Sequence, residues 1–229
     1  MVFENNGAAQ QINGREGETA TLFSRCLLNS NGLGGGFAPS HLSRCVLPSC
    51  DSMKPPERIE TERLVLRLPS VADAEAIFNS YAQDEEVTRY LMWRPHKNIQ
   101  ETEVFLASCV AAWEKDARFP YVLTIKESGV VAGMIEIRPN GFKAEVGYVL
   151  SPQFWGKGMA TEALRSLVKW ALSQNSIYRI WGLCDVDNLA SARVLKKAGM
   201  QREGLLRRQI IHPNISDEPR DCYIYAMAK

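Results

Sequence analysis

The sequence predicts an α/β fold in which a mixed, mostly antiparallel central sheet is flanked by helices and preceded by a disordered N-terminal extension. Three observations predict it. Three runs rich in β-branched and aromatic residues, at 121–126, 130–137 and 143–150, are separated by turn-forming clusters. One long stretch after Gly158 carries apolar residues at helical spacing. Beyond it, strand-like and helix-like segments alternate, so a crossover joins part of the sheet in parallel.

Residues 1–55 stand apart. They are rich in Asn, Gly and Ser, include Gly34-Gly35-Gly36, and show no useful periodicity, as expected of a disordered extension. The stretch 19–50 holds Arg25 and Arg44, several serines and no acidic residue, so organelle import through residues 1–55 is the alternative to a plain cytoplasmic location. The Pro55-Pro56 pair marks the end of the linker, and a single domain over 56–229 is expected.

The elements follow in order. RLVLRL at 63–68 alternates like a half-buried strand, and 71–81 and 99–116 have helical spacing. The next three strands form an antiparallel meander through Glu127-Ser128-Gly129 and Pro139-Asn140-Gly141. After Gly158, the pairs Ala163/Leu164, Leu167/Val168 and Ala171/Leu172 form one apolar stripe on a helix ending near Asn175. A strand at 179–185, a helix at 189–197 closed by Gly199, and strands at 200–209 and 222–227 complete the order β-α-α-β-β-β-α-β-α-β-β.

Composition excludes several classes of function. Lys plus Arg total 27 against 26 for Asp plus Glu, so no overall field draws nucleic acid, and Arg202, Arg207 and Arg208 are expected on a solvated face. The six cysteines form no C-x-x-C pair and the three histidines, His41, His96 and His212, are scattered, so neither a metal site nor a catalytic triad is expected. Cys109 and Cys184 lie in apolar stretches as small core residues, which suits a reducing compartment. No apolar run is long enough to span a bilayer, so a soluble protein without a membrane partner is expected.

The chemistry points to the segment from Tyr148 to Glu162, where a strand passes through a glycine-punctuated turn straight into the strongest helix. Gly156 and Gly158 permit conformations that a β-carbon disfavours, so successive N–H groups can converge on an anion at a helix N-terminus. Lys157 can add charge there. A turn with G-x-G alone favours a plain strand-to-helix connection with no ligand. A dinucleotide fold wants G-x-G-x-x-G early in a βαβ chain, whereas this turn follows a meander.

Gln153, Gly156 and Gly158 match the Q/R-x-x-G-x-G/A motif, and the segment resembles motif A of the GNAT acetyltransferases. With EVGYVLSPQFWGKGMATEAL at 145–164, DVDNLASARVLKKAGMQREGLLR at 185–207 and DCYIYA at 221–226, the chain is similar to the RimJ/RimL-type branch over nearly all of 57–229. The resemblance implies a GNAT-like sheet and acetyl-CoA as co-substrate, without a metal. It implies that the strand ending at Val149 and Leu150 offers backbone groups to the pantetheine arm. It also implies that the turn from Gln153 through Gly156, Lys157, Gly158, Met159 and Ala160 to Thr161 binds the pyrophosphate, and that Asn188 and Ser191 touch the cofactor.

Acetyl transfer to an amine needs a proton acceptor and a proton donor. Glu145 shares a strand face with Gly147 and is a candidate base; Glu136 on the neighbouring strand is the alternative, and either is equally a cross-strand partner of a cation. Many relatives carry a tyrosine acid seven residues after the asparagine, where this chain has Leu195, and Ser191 is the expected replacement. Asn188 and Ser191 also suit ordinary helix capping. Tyr148 and Trp155 read as packing and Glu162 as a helix-dipole partner. The expected activity is transfer of an acetyl group to a primary amine, either a protein N-terminal α-amino group or a small amine, by a monomer or homodimer. The alternative is a non-catalytic acyl-CoA-binding or interaction module. The acceptor groove is expected between the first two helices and the loop around residues 212–219.

Overall fold

Strand-forming residues and turn clusters build eight strands in the computed structural model, which describes residues 54–229. They are β1 (Arg58–Glu60), β2 (Leu64–Arg67), β3 (Phe119–Ile125), β4 (Val131–Asn140), β5 (Lys143–Leu150), β6 (Arg179–Asp185), β7 (Gln201–Ile210) and β8 (Arg220–Ala228). They form one sheet in the order β1-β2-β3-β4-β5-β6-β8-β7. All neighbours are antiparallel except β5 and β6, so the expected mixed, mostly antiparallel sheet is present. The extension expected at 1–55, its import alternative, His41 and the first three cysteines lie outside the described residues, apart from Lys54 and Pro55.

Two helical layers cover the sheet. On one face lie α1 (Ala74–Ile77), α2 (Glu85–Thr88) and α3 (Ile99–Glu114); α4 (Met159–Ser173) and α5 (Leu189–Lys197) lie on the other. The alternation of each strand sorts its residues between the layers. Met134 and Val149 face the first layer with Phe105 and Leu106. Ile135, Val146 and Tyr148 face the second with Leu164, Leu167 and Leu195. Burying a side chain such as Phe105 or Leu164 stabilises the fold by about 2 kcal/mol.

The helix expected at 71–81 is more broken than its periodicity suggests. A 3-10 turn (Val71–Asp73), capped by Ser70 with Asp73 returning the bond, runs into α1 and then into a π-helical turn at Phe78–Ala82. The Ser80 carbonyl there accepts a bond from Ser151 Oγ at the end of β5, 3.1 Å away. That tertiary bond is invisible to local spacing. Asp84 caps α2 through the amides of Glu86 and Val87, and Asn98 caps α3 through that of Glu101.

Cys109, Cys184 and Cys222 are free and buried. Among the described residues no helix is long and apolar enough to cross a membrane, and no His, Cys, Asp and Glu group could hold a metal ion.

Candidate active site

The turn after β5 takes the form its glycines permit. Gly156 and Gly158 have φ of 73° and 78°, in the left-handed region that a side chain disfavours. Gly158 is the N-cap of the 15-residue α4 and supplies no side-chain bond, while the first helical bond runs from Glu162 N–H to Gly158 C=O. The amides of Met159, Ala160 and Thr161 therefore have no intrahelical acceptor and share the positive end of the helix dipole. Gln153 and Lys157 are exposed beside them.

Arg63, absent from the sequence-based candidates, reaches the same turn: its Nη1 donates to Lys157 C=O at 3.0 Å. Its side chain is held by Glu162, which also accepts from Thr61 Oγ1 at 2.6 Å and Arg63 N–H at 2.8 Å. Glu162 thus ties the β1–β2 turn to α4, a role beyond the helix-dipole partner expected of it. These bonds hold the Glu162 carboxyl below the usual range, although its partial burial works the other way. A groove of about 850 Å³ continues from Gly158 and Thr161 along α4, with Arg165, Lys169 and Lys197 in its wall.

β5 and β6 pair only over Lys143↔Arg179, Ala144↔Ile180 and Glu145↔Trp181, then separate, while β6 stays paired with β8 as far as Asp185. The sheet is split from Val146 onward. The Phe142 carbonyl accepts from Tyr178 N–H on the β6 side, and Ser151 N–H donates to Ala132 C=O on the β4 side. Backbone groups alternate along a strand, so Val146, Tyr148 and Leu150 turn theirs toward the split. Val149 turns toward β4, and the structure does not bring its backbone to the open edge. The Leu150 carbonyl is taken by Trp155 Nε1 at 2.7 Å. Farther along the split from Val146, the groups facing it are the Tyr148 N–H and C=O and the Leu150 N–H.

α5 crosses the split on the α4 side. Gly182 makes the approach close: a β-carbon there would lie 3.3 Å from the Val146 carbonyl oxygen and 3.4 Å from Leu195 Cδ2. Asn188 caps α5 by accepting from Ser191 N–H at 3.0 Å. Ser191 is buried, and its hydroxyl lies 3.0 Å from the Tyr148 hydroxyl, which also donates to the Ser191 carbonyl at 3.2 Å. Burial pushes the Tyr148 hydroxyl pKa well up, so it stays protonated. Tyr148 was read from sequence as packing; the structure gives it a hydroxyl partner in a buried pair.

On the opposite face, Glu136 stands across from Gly147 and Arg138 across from Glu145. Both glutamates share that face, joined by a charge chain. Arg118 Nη1 bonds Glu136 Oε2 at 2.7 Å, Arg138 Nε lies 3.4 Å from Glu136 Oε1, and Arg138 Nη2 lies 3.1 Å from Glu145 Oε1. The Glu136 side chain is 0% exposed and that of Glu145 18%, so Glu145 is the more open of the two. Burial raises the Glu136 pKa, with Arg138 and Arg118 opposing.

His212 is fully buried near the end of β6, with Nε2 3.5 Å from Asp185 Oδ2. Burial pushes its pKa down to about 4, so the ring is neutral at pH 7. Asp185 is itself held by Arg220 at 2.6 Å. These contacts form a charged cluster at the base of the β7–β8 loop.

These features can be set beside known proteins. A family model described as the acetyltransferase (GNAT) domain matches residues 63–201. The Bacillus subtilis protein YoaA, an uncharacterised N-acetyltransferase, is 32% identical over 174 residues, covering 75% of this chain and 96% of that protein. The crystal structure of a GNAT-family acetyltransferase from Bacillus anthracis is 28% identical with a TM-score of 0.66, covering 75% of this chain and 98% of the other. The fold is also that of RimL, a ribosomal L7/L12 α-N-protein acetyltransferase solved with coenzyme A, at 21% identity and a TM-score of 0.67 over 75% of this chain and 98% of that one.

Proposed function

The chain belongs to the GNAT acetyltransferase family and is an acetyl-CoA-dependent N-acetyltransferase, and from that premise we propose that it acetylates a primary amine by direct transfer within the split between β5 and β6. The catalytic domain in this reading spans residues 56–229, and the acceptor is a protein N-terminal α-amino group or a small amine.

The observation that carries this reading is that strand pairing stops after Glu145↔Trp181 beside a helix whose first amides lack acceptors. Unpartnered amides at a helix N-terminus suit a pyrophosphate, and an open strand edge suits the amide groups of a pantetheine arm. In this assignment Met159, Ala160, Thr161 and Gly158 hold the phosphates, with Arg63 and Lys157 adding charge and Gln153 at the rim. Tyr148 and Leu150 take the arm, and Asn188 positions the start of α5.

The residues divide the proton work by face. Glu145, on the α3 side, accepts the proton that the amine must lose, directly or through water. As the amine nitrogen bonds to the acetyl carbon and the carbon–sulfur bond breaks, Ser191 on the α5 side gives its proton to the departing sulfur. Tyr148 follows as the next donor in line, supplying from the facing strand the phenol that Leu195 does not. Glu136, closed off from any ligand, holds Arg138 in place.

The test is amine-dependent thiol release by the full chain from acetyl-CoA, over N-terminal peptides and small amines, with no-acceptor controls. Glu145→Gln is expected to lower kcat/KM about 100-fold with acetyl-CoA affinity unchanged. Tight acetyl-CoA binding without release for any amine would overturn the reading, as would undiminished turnover by Glu145→Gln.

A further inference from the structure

The sheet face that carries Glu145 is covered unevenly. The cluster beneath α1–α3 draws its sheet residues from β3, β4 and β5, with Met134 and Val149 among them, and none from β6, β7 or β8. Beyond β5 the face passes to those three strands. There Leu183 and Cys222 are buried, while Trp181, Leu206, Ile224 and Met92 pack around them and stay half-buried. Among the described residues, no helical residue belongs to this second cluster, and Met92, from the loop between α2 and α3, is its one member outside the sheet.

Strand register places this apolar strip beside the base. Glu145 pairs with Trp181, Leu183 with Ile224 and Leu206 with Cys222, and Trp181 and Leu183 alternate with Ile180 and Cys184, which face α4 and α5. Trp181, Leu183, Ile224 and Leu206 therefore share the face of Glu145, with Trp181 next to it. Past Glu145, β5 presents to this face only Gly147, which has no side chain to wall off the strip. On β7, Gly204 stands opposite Ile224; a β-carbon there would lie 3.8 Å from Ile224 Cγ2, so glycine leaves that flank uncovered.

The charges lie at the two ends. The Glu145 carboxylate, 18% exposed, stands at one. At the other, Asp185 is fully buried and held by Arg220 and His212. The residues of β6, β8 and β7 between them on this face are uncharged. Asn214 Nδ2 donates to the carbonyls of Thr88 and Trp93 at 2.7 Å each, and Arg94 Nη1 to that of Pro213 at 2.8 Å, so the Met92 loop is fastened to the β7–β8 loop at the border of the strip.

We infer that this strip is the specificity surface for the acceptor: the amine nitrogen meets Glu145, and an apolar group carried close to that nitrogen lies on Trp181, Leu183 and Ile224, bordered by Leu206 and Met92. It rests on the reading that amine and acetyl-CoA meet in the split between β5 and β6. The class selected is a primary amine with a bulky apolar substituent near nitrogen, either a peptide with an apolar first residue or an arylalkylamine. Such a substituent removes water from the half-buried side chains, with Trp181 supplying a large rigid surface. A hydroxylated substituent gains little there, and the distal ammonium of a polyamine gives up hydration against carbon.

The experiment measures thiol release by the full wild-type chain, Trp181→Val and Leu206→Thr with two matched pairs of acceptors. One pair is a peptide amide beginning with leucine and the same peptide beginning with serine; the other is phenethylamine and ethanolamine. The wild type is expected to favour the apolar member about tenfold in kcat/KM in at least one pair, and the pair that shows it names the source of the amine. Trp181→Val keeps a strand former and is expected to bring that ratio within about twofold of one, and Leu206→Thr, on the edge strand, to lower it about threefold. Structural damage lowers both members of a pair together and leaves their ratio alone, and thermal melting checks the fold of each variant. A wild-type ratio near one in both pairs, a preference for the hydroxylated member, or a ratio that neither variant moves overturns the surface. No thiol release with any amine overturns instead the catalytic reading on which it rests.

Discussion

Ser191→Ala is expected to reduce kcat about 100-fold while leaving the KM for acetyl-CoA within a few-fold, the signature of a group needed as the thiolate departs rather than on binding. The hydroxyl is buried and its oxygen is 3.0 Å from that of Tyr148. Alanine keeps the α5 backbone and the Asn188 cap, because Asn188 accepts from the Ser191 amide rather than its hydroxyl. Tyr148→Phe removes the second donor and is expected to cost less in kcat, since Ser191 still reaches the sulfur. The two losses are expected to be non-additive, because both act on one proton path. Steady-state kinetics with thermal melting separates this from misfolding. An unchanged kcat in a folded Ser191→Ala would remove Ser191 from the mechanism.

Glu136→Ala is expected to destabilise the fold by about 3–5 kcal/mol, the cost of breaking a buried pair from one side. Glu136 is enclosed between Arg118 and Arg138, and alanine leaves both guanidiniums without their shared counter-charge. Glu136→Gln keeps an oxygen for Arg118 and is expected to cost less. Urea unfolding of the three proteins checks this ranking, and a loss below about 1 kcal/mol for alanine would mean that the charge chain carries little of the stability. Activity should also fall in Glu136→Ala, because Arg138, which pairs with Glu145, loses its second carboxylate partner and is no longer held in place.

Much of this architecture is written in local sequence. The β4–β5 hairpin is legible because β-branched residues flank Pro139-Asn140-Gly141, and α4 because its apolar stripe repeats without interruption. The phosphate-type turn is legible because its glycines and the helix they start are contiguous. What remained hidden depends on distant partners. β1 is only Arg-Ile-Glu and becomes a strand through its pairing with β2. The π-helical turn at Phe78–Ala82 meets Ser151 some 71 residues away. Arg63 reaches the turn across 94 positions, and Tyr148 meets Ser191 across 43. The face shared by Glu136 and Glu145 was readable only once the register Arg138↔Glu145 was known. The two candidates differ in exposure, one sealed and the other partly open, which strand spacing alone does not encode.

Backbone amide hydrogen exchange of the full chain, with and without saturating acetyl-CoA, tests most directly the claim that the cofactor occupies the split sheet and the adjoining helix end. The account predicts new protection at Tyr148, Leu150, Met159, Ala160 and Thr161, with Val149 little changed. Protection that leaves these amides untouched and falls elsewhere, for instance only along the Arg165 and Lys169 side of α4, would contradict it.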